Sequence, residues 1–357
     1  MSKKPLILGI ESSCDETAAS LMTENQQGIP IILSNIISSQ VEIHKEFGGV
    51  VPELAARSHI KKIDWIVKKA IEESGKKIEE IDAVASTAGP GLIVCLSVGL
   101  SFGKAFAHAI NKPFIAVNHL EGHALSPKIN SKIKYPYLLL LISGGHSQYL
   151  LVEGLGNYKR LGTTIDDALG EAFDKTAKLL GIDFPGGPQI EILAKKGNPD
   201  RYNLPKPIFN RGGCNLSFAG LKTAILKLSK SLKTDQDKFD LAASFQKTIE
   251  EILKKKTEIA FKEFEKNNIT EEKFFVVAGG VAANEKIRTM LINLCKDNNY
   301  QSIFPPVNLC GDNAAMIAMV GLEKFKLKDF KNLDHPAKPR WPLDINATIL
   351  KGAGVKL

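Results

Sequence analysis

Cysteine is scarce in this sequence and shows no pairing pattern. Five cysteines occur in 357 residues, their number is odd, and none forms a C-x-x-C pair. This arrangement argues against a disulfide framework and against a thiolate zinc site. Scattered free thiols are typical of a reducing compartment, so we expect the protein to be cytoplasmic. The five are Cys14, Cys95, Cys214, Cys295 and Cys310.

Long apolar runs are also lacking. No stretch reaches the roughly 18 residues that a membrane-spanning helix needs. The chain opens with MSKKPLILGIESSCDET, in which acidic residues follow a short apolar run at once. We therefore expect a buried strand here rather than a signal peptide, and no membrane partner.

Acidic residues are outnumbered by basic ones, 39 to 47, which gives a net charge of +8 and a pI of about 9.0. The excess supports two interpretations equally: a lysine-rich surface that aids solubility, or a polyanionic partner such as nucleic acid. Residues 52–74 predict a helix opened by Pro52 and ended by Gly75. Apolar side chains form one face of this helix and lysines 61, 62, 68 and 69 form another. Such a face is usually only solvated, but here its charges are nearly of one sign.

Low-complexity linkers and strict repeats are absent, yet the architecture is doubled. Strands alternate with helices, which predicts α/β lobes. A strand–turn–strand unit opens each half, KPLILGIES with its return strand in the first and YPYLLLLISGGHSQYLLVEGL in the second. We expect two packed lobes with a cleft between them. The predicted boundaries are 1–116 for the N-terminal lobe, 117–335 for the C-terminal lobe, and 336–357 for a tail that packs back on the N-terminal lobe.

Four polar turn segments follow predicted strands and suit a phosphate or nucleotide. Small residues there let an anion approach the backbone N–H groups. The G-x-G-x-x-G fingerprint of dinucleotide-binding folds is absent. The segments are ESSCDET (11–17), ISGGHSQ (142–148), IDDALGEAFDK with FPGGPQIE (165–175 and 184–191), and VVAGGVAANEKIR (276–288).

Each turn also has an ordinary structural interpretation. Asp15 and Glu16 could bind a metal, orient water or accept a proton, or could be solvent-facing acids of a hairpin. Gly144 and Gly145 could admit an anion, or could supply the positive φ angles of a hairpin.

The remaining two turns are equally open. Asp174 suits a pair of ribose hydroxyls, and Gly187 suits a sugar or phosphate. Asp166 and Asp167 are expected to complement the dipole of a helix spanning 164–181. Asn284 could hold a nucleotide or could simply begin a helix.

A histidine pair in NHLEGH, residues 118–123, predicts a metal site. His119 and His123 lie one helical turn apart just past a strand, and Asp312 begins a later helix after another strand. Two histidines and a carboxylate leave open coordination positions, as catalytic sites do. A lone pair of this kind is more often structural. A zincin protease needs H-E-x-x-H, but Leu120 occupies the glutamate position, so the spacing excludes it.

Nine segments together resemble the tRNA adenosine threonylcarbamoyltransferase family of the bacterial TsaD type, once labelled glycoproteases. They occur in that family's order between residue 6 and about residue 320. These segments are GIESSCDET, GGVVPELAARSH, NHLEGH, LISGGHSQ, GEAFDKTAKLLG, PGGP, SFAGLKT, AGGVAAN and CGDNAAMIA.

The resemblance implies a fold, a reaction and partners. The fold is the two-lobed actin-like ATPase fold, each lobe a mixed sheet flanked by helices, with nucleotide and metal in the interlobe cleft. The reaction moves a threonylcarbamoyl group from threonylcarbamoyl-AMP to the exocyclic amine of the adenosine 3′ of the anticodon, in tRNAs reading codons that begin with A. ATP or AMP can occupy the same site. The partners are tRNA, a TsaB-type paralogue and a TsaE-type ATPase, and no DNA is involved.

The resemblance also implies site residues. His119, His123 and Asp312 match ligands of one divalent metal, iron in preference to zinc, and Asp15 and Glu16 match an acidic pair needed for activity. A tyrosine ligand known in archaeal relatives is not expected here, because Leu141 and His146 occupy that region. The substrate contacts match Leu141, Ile142, Ser143, Gly144, Gly145, Asp174, Gly187 and Asn284.

Two other function classes compete with the transferase. One is a phosphotransferase of the sugar- or acetate-kinase type, which would need no histidine metal pair. The other is a nucleotide-binding scaffold without turnover.

Overall fold

The computed structural model describes residues 3–267 and 271–348. The described residues form two compact units: residues 3–132 with 311–345, and residues 133–267 and 271–310 with 346–348. The units divide after residue 132 and before residue 311, rather than after the predicted residues 116 and 335. The reason is that the helix following Gly311 returns to the first sheet.

Ten strands and ten α-helices form the described part of the chain. The strands are β1 (Ile7–Glu11), β2 (Glu16–Glu24), β3 (Pro30–Ser39), β4 (Ala83–Gly89), β5 (Phe114–Asn118), β6 (Tyr137–Ile142), β7 (Ser147–Gly154), β8 (Asn157–Thr163), β9 (Phe274–Ala278) and β10 (Gln301–Ile303). The helices are α1 (Val41–Lys45), α2 (Pro52–Ser74), α3 (Ile93–Ala109), α4 (His119–Leu125), α5 (Leu169–Leu179), α6 (Gly186–Ala194), α7 (Ala219–Ser229), α8 (Asp235–Asn267), α9 (Glu285–Asp297) and α10 (Ala314–Lys326).

The first unit is built on a five-stranded sheet in the order β3-β2-β1-β4-β5. Strands β1, β2 and β3 are antiparallel neighbours, whereas β4 and β5 run parallel to β1. The carboxyl ends of β1, β4 and β5 therefore meet at one edge of the sheet. Glu11 ends β1 at this edge and Asn118 ends β5.

Helix α2 begins and ends where the sequence predicts. Pro52 stands in its first turn, where the N–H that proline lacks needs no intrahelical partner, and Gly75 ends it in the left-handed region at φ 67°. Small residues on helix α3 let it pack closely against the sheet. A Cβ on Gly99 would lie 2.2 Å from Oγ of Ser12, and one on Gly103 would lie 2.9 Å from Cβ of Ser86.

Helix α10 lies tightly against the first sheet. A Cβ on Gly9 in β1 would be 2.6 Å from the carbonyl oxygen of Ala314, and one on Gly321 would be 2.6 Å from Cβ of Ala85. This close approach fixes the start of α10, which directly follows Asp312, against β1.

The second unit repeats the topology of the first. Its sheet has the order β10-β9-β6-β7-β8, with β6, β7 and β8 antiparallel and β9 and β10 parallel to β6. The predicted duplication of architecture is thus confirmed, although the sequence reading missed strand β8. Its core joins apolar residues of the sheet and of helices α5 to α9, among them Phe173, Phe245 and Phe275.

Helix α5 begins at Leu169, not at the predicted residue 164. Asp166 instead accepts backbone N–H groups of Phe218 and Ala219 at 2.7 and 3.2 Å, at the start of α7. Asp167 pairs with Lys175 at 2.6 Å. Neither acid therefore lies within α5, and each has a side-chain or backbone partner in place of the predicted interaction with the dipole of its own helix.

The tail predicted for residues 336–357 includes Lys338 and Trp341, both of which contact the first unit. The backbone N–H of Lys338 donates to Ala88 O at 2.7 Å, and Asn118 Nδ2 donates to Trp341 O at 2.9 Å. Residues 349–357 of that prediction lie outside the described residues.

No helix of the described chain is long and apolar enough to cross a bilayer. All five cysteines are free thiols.

Candidate functional site

The two histidines of NHLEGH lie on α4, at the carboxyl end of β5. Asn118 Oδ1 accepts the N–H groups of Leu120 and Glu121 at 2.9 and 3.4 Å, which caps the helix. Residues four apart share a helix face, so the rings of His119 and His123 meet edge to face, with centroids 4.8 Å apart. Both side chains are buried.

Asp312 joins the histidine pair from the start of α10. Its Oδ1 lies 3.0 Å from Nε2 of His123 and 3.5 Å from Nε2 of His119. One ligand atom from each residue falls within a 4.8 Å cluster. The structure thus brings together the three predicted metal residues, although nearly two hundred positions separate them in sequence.

The donor set fits a transition metal. Ligand bonds of about 2.0–2.1 Å in tetrahedral geometry separate neighbouring ligand atoms by roughly 3.3 Å. The two nitrogen-to-oxygen distances around Asp312 lie on either side of that value. Imidazole nitrogen suits iron and zinc, and one carboxylate with two histidines leaves positions open.

Charges around the cluster are strongly coupled. Burial alone would lower the pKa of His119, but Asp312 and Glu11 outweigh it and hold that pKa well above its usual value. Burial would raise the pKa of Asp312, but the neighbouring His119 and His123 hold it well below its ordinary range. The site is therefore built to hold positive charge beside Asp312.

The acidic pair predicted in ESSCDET lies at the turn between β1 and β2. Asp15 is buried, so it is not a solvent-facing turn residue. Burial raises the pKa of Glu16 well above its ordinary value, and the negative charges of Asp312 and Asp15 raise it further. His59 secures this turn from α2, since its Nε2 lies 2.9 Å from Cys14 O and its Nδ1 lies 2.7 Å from Thr17 Oγ1.

In the second unit, the predicted glycine turns meet at the carboxyl ends of β6 and β9. Leu141 of β6 pairs with Ala278 of β9 in the parallel register. A Cβ on Gly279, whose φ is 95°, would lie 2.4 Å from Ile142 O. The N–H of Gly170 donates to Ser143 O at 3.2 Å. Three of the four predicted turns are therefore neighbours.

Gly144 and Gly145 do not serve the turn geometry that the hairpin interpretation requires. Neither has φ in the left-handed region, and a Cβ on either would meet nothing within 4 Å. The backbone there is open to a ligand. Leu141 and Ile142 are fully buried, and their strand β6 is paired with β7 on one side and with β9 on the other.

The other predicted substrate residues carry structural contacts. Asp174 Oδ1 accepts the N–H of Gly186 at 2.8 Å and thereby holds the start of α6 beside Gly187. Asn284 Oδ1 accepts the N–H of Ile287 at 3.0 Å, capping α9, and its Nδ2 donates to Gln246 at 3.0 Å. Asn284 thus begins a helix, which was one of its two interpretations.

The sequence did not indicate two residues that contact the candidate metal ligands. Glu11 lies 3.1 Å from Nδ1 of His119, and Ser13 Oγ lies 3.1 Å from the same nitrogen. The available signal was a carboxylate ending an otherwise apolar, fully buried strand. His59 gave no comparable signal within the helix pattern of α2.

Comparison with solved structures concerns the fold. The chain is similar over 91% of its length to full-length HypF in a phosphate- and nucleotide-bound form, at a TM-score of 0.58, 13% identity and 47% of that chain. It is similar over 90% of its length to component A of the (R)-2-hydroxyglutaryl-CoA dehydratase of Acidaminococcus fermentans, at a TM-score of 0.50, 15% identity and 98% of that chain. At such identities the likeness shows the fold alone, and it confirms the predicted actin-like ATPase fold of two mixed sheets flanked by helices.

Known protein sequences are much more similar to this chain than these solved structures are. A profile described as TsaD, tRNA N6-adenosine threonylcarbamoyltransferase, matches residues 31–319. A protein of that name from Pelagibacter ubique is 76% identical over the full length of both chains. Another from Rickettsia rickettsii is 53% identical over 95% of this chain and 98% of its own, and one from Sinorhizobium medicae is 49% identical over 98% of both. The chain therefore belongs to the tRNA N6-adenosine threonylcarbamoyltransferase family.

Proposed function

We propose that this enzyme transfers a threonylcarbamoyl group from threonylcarbamoyl-AMP to the exocyclic amine of the adenosine 3′ of the anticodon, in tRNAs reading codons that begin with A. Full-length identity of 76% to a relative named for this activity carries the proposal. The geometry is consistent with it, because the cluster of His119, His123 and Asp312 is the metal set that the family resemblance predicted. The comparisons do not support a kinase or a scaffold without turnover.

The three clustered residues would hold one divalent metal, for which we favour iron over zinc. The two Nε2 atoms and the Asp312 carboxylate supply the ligands. When bound, such a metal supplies Lewis-acid polarisation of a phosphate or carbamoyl oxygen. No tyrosine is proposed as a ligand, because residue 141 is a buried leucine.

The glycine turns of the second unit would bind the activated substrate, and ATP or AMP in its absence. The backbone N–H groups of Gly144 and Gly145 would hold phosphate or the developing oxyanion, and the open space at both glycines supports this role. Leu141, Ile142 and Ser143 would shape this turn, since the N–H of Ser143 already donates to His146 O at 2.8 Å. Asp174, Gly187 and Asn284 complete the proposed set. The contacts of Asp174 and Asn284 described above indicate that they also shape this site by fixing helix starts.

The transfer is a substitution at the carbamoyl carbon. The adenine N6 lone pair forms the new C–N bond, the bond from that carbon to the phosphate oxygen breaks, and AMP leaves with the electron pair. The N6 proton passes to a base, for which we propose Asp15 or Glu16.

We propose tRNA, a TsaB-type paralogue and a TsaE-type ATPase as partners in the cytoplasm. The net charge of +8 is compatible with a polyanionic partner. Lys68 and Lys69 on α2 are partly neutralised by Glu72 and Glu73 at 3.8 and 3.6 Å, so this face is a weaker tRNA candidate than its sequence indicates. A protein partner is supported by an apolar groove of about 560 Å³ lined by residues of α2 and α3 that include Ile60, Val94 and Phe102.

The test is transfer of labelled threonine from threonylcarbamoyl-AMP to tRNA, with and without the two partners. We expect labelled tRNA only when an adenosine follows the anticodon. No product with every partner present would refute the assignment, and ATP-dependent phosphorylation of a small acceptor would favour a kinase.

Variants test the proposed base. Asp15→Ala and Glu16→Ala are compared with Glu42→Ala, which removes an exposed carboxylate of the same unit. Full transfer activity in both Asp15→Ala and Glu16→Ala would remove the acidic pair from the mechanism.

A further inference from the structure

Glu11 is a fully buried carboxylate whose two oxygens are both engaged. Its Oε1 accepts the backbone N–H of Ser13 at 2.5 Å. Its Oε2 accepts the hydroxyl of Thr87 at 2.5 Å and lies 3.1 Å from Nδ1 of His119. Burying a charge is costly unless the charge is paired and hydrogen-bonded. These three contacts offset that cost for Glu11.

The contact with Glu11 decides which nitrogen of His119 carries a proton. An ionised carboxylate only accepts hydrogen bonds, so Nδ1 must be the donor. Its contacts with the N–H of Ser13 and the hydroxyl of Thr87 likewise use Glu11 as an acceptor. A neutral imidazole with its proton on Nδ1 presents the lone pair of Nε2, the nitrogen that faces Asp312 at 3.5 Å.

The two histidines differ in this respect. The buried Nδ1 of His123 has no hydrogen-bond partner among the described residues. His119 is therefore the ligand whose orientation and tautomer the protein fixes with a carboxylate. Partners of this kind outside the ligand set raise the basicity of the imidazole and typically change metal affinity by about 10–100-fold.

We propose that Glu11 is a positioning residue of the metal centre, which holds His119 as the Nδ1–H tautomer and so strengthens the binding of a divalent transition metal by His119, His123 and Asp312. This inference rests on the metal site proposed above. It adds that the end of strand β1 controls the affinity of ligands carried by α4 and by the start of α10.

A merely structural ion pair is the competing explanation, and the chain offers a matched control for it. Glu121 is a second buried glutamate, placed on α4 between the two histidines. Its carboxylate lies 3.3 Å from Nζ of Lys324, a buried lysine, and thus forms an ion pair with an amine rather than with a ligand imidazole. Glu121→Gln removes a buried carboxylate next to the site without removing the contact to Nδ1 of His119.

The experiment measures zinc affinity of the full-length chain after removal of metal by a chelator. Competition with a chromophoric chelator gives the dissociation constants of the wild type, Glu11→Gln and Glu121→Gln. We expect Glu11→Gln to bind zinc about 10–100-fold more weakly and Glu121→Gln to bind like the wild type. With histidine-selective ¹⁵N labelling, the zinc form of the wild type and of Glu121→Gln should show a protected Nδ1–H resonance of His119 that shifts or disappears in Glu11→Gln.

The outcomes distinguish the role of Glu11 from the proposed metal site and from the proposed transferase activity. Wild-type zinc affinity and an unchanged Nδ1–H resonance in Glu11→Gln would overturn the role of Glu11 and leave the metal site intact. A wild type that binds no transition metal would overturn both, whereas failure of the transfer assay alone affects neither measurement. If Glu11→Gln does not fold, Thr87→Val removes one donor to the same carboxylate and should weaken zinc binding; affinity equal to the wild type would then count against the inference.

Discussion

Replacing Asp312 with alanine should remove metal as effectively as replacing either histidine. The carboxylate is the group on which both imidazoles converge, since its Oδ1 lies 3.0 Å from one Nε2 and 3.5 Å from the other. A water molecule could take its place as an oxygen ligand but would not supply its negative charge. In Asp312→Ala, two neutral nitrogens would remain as protein ligands.

The size of the effect follows from the position of Asp312 inside the ligand set. Residues that act one contact further out change affinity by about 10–100-fold, so loss of a ligand should exceed about 100-fold, or about 2.7 kcal/mol. A ligand that binds only the folded state stabilises it in proportion to the logarithm of its affinity. Excess zinc should therefore raise the melting temperature of Asp312→Ala by roughly 5–11 °C less than that of the wild type.

Two measurements check this expectation: zinc affinity by chelator competition, and melting temperature with and without excess zinc. His119→Ala and His123→Ala should match Asp312→Ala. Asp329→Ala is the control, because Asp329 is a salt-bridged carboxylate just beyond the other end of α10. Stoichiometric zinc in Asp312→Ala, with less than about tenfold loss of affinity while either histidine variant loses the metal, would refute the three-residue site.

Three further predictions concern the framework around the sites. Gly9→Ala should lower the free energy of unfolding by about 1–3 kcal/mol, because the new Cβ would lie 2.6 Å from Ala314 O. Gly212→Ala is the control, because a Cβ there would meet nothing within 4 Å. Equal urea midpoints for the two variants would contradict this prediction. Burial outweighs the backbone contact to Cys14 and lowers the pKa of His59 below its ordinary 6.5, so the unfolded chain binds the proton more tightly and stability falls as pH drops below 6.5. The stability advantage of wild type over His59→Gln in urea unfolding should therefore shrink between pH 7.5 and 5.5, and a constant difference would count against a buried neutral imidazole. Asn284→Ala should cost about 0.5–2 kcal/mol through loss of the α9 cap, and unchanged stability would indicate that Asn284 serves substrate alone.

Local signals predicted the elements that local forces determine. Helix α2 was predicted to the residue, since proline at the first turn and a left-handed glycine after the last act on their own neighbours. The start of α5 was predicted wrongly, because Asp166 is drawn to the N–H groups of α7, about fifty residues later. Strand β8 was missed for a different reason. It pairs with β7 across a turn of only two residues, but its own sequence, NYKRLGT, has few apolar side chains and no clear alternation.

The sequence by itself determined the family, the doubled α/β architecture and the identity of the metal-binding candidates, because motif order, hydrophobic periodicity and residue chemistry are properties of the chain. It could not determine that Glu11 faces His119, since these residues lie 108 positions apart and meet only through the parallel pairing of β1, β4 and β5. Nor could it show that the close packing of α10 on Gly9 places Asp312 beside both histidines. Contacts between distant segments depend on how sheets and helices pack, and that packing is the contribution of tertiary structure to this site.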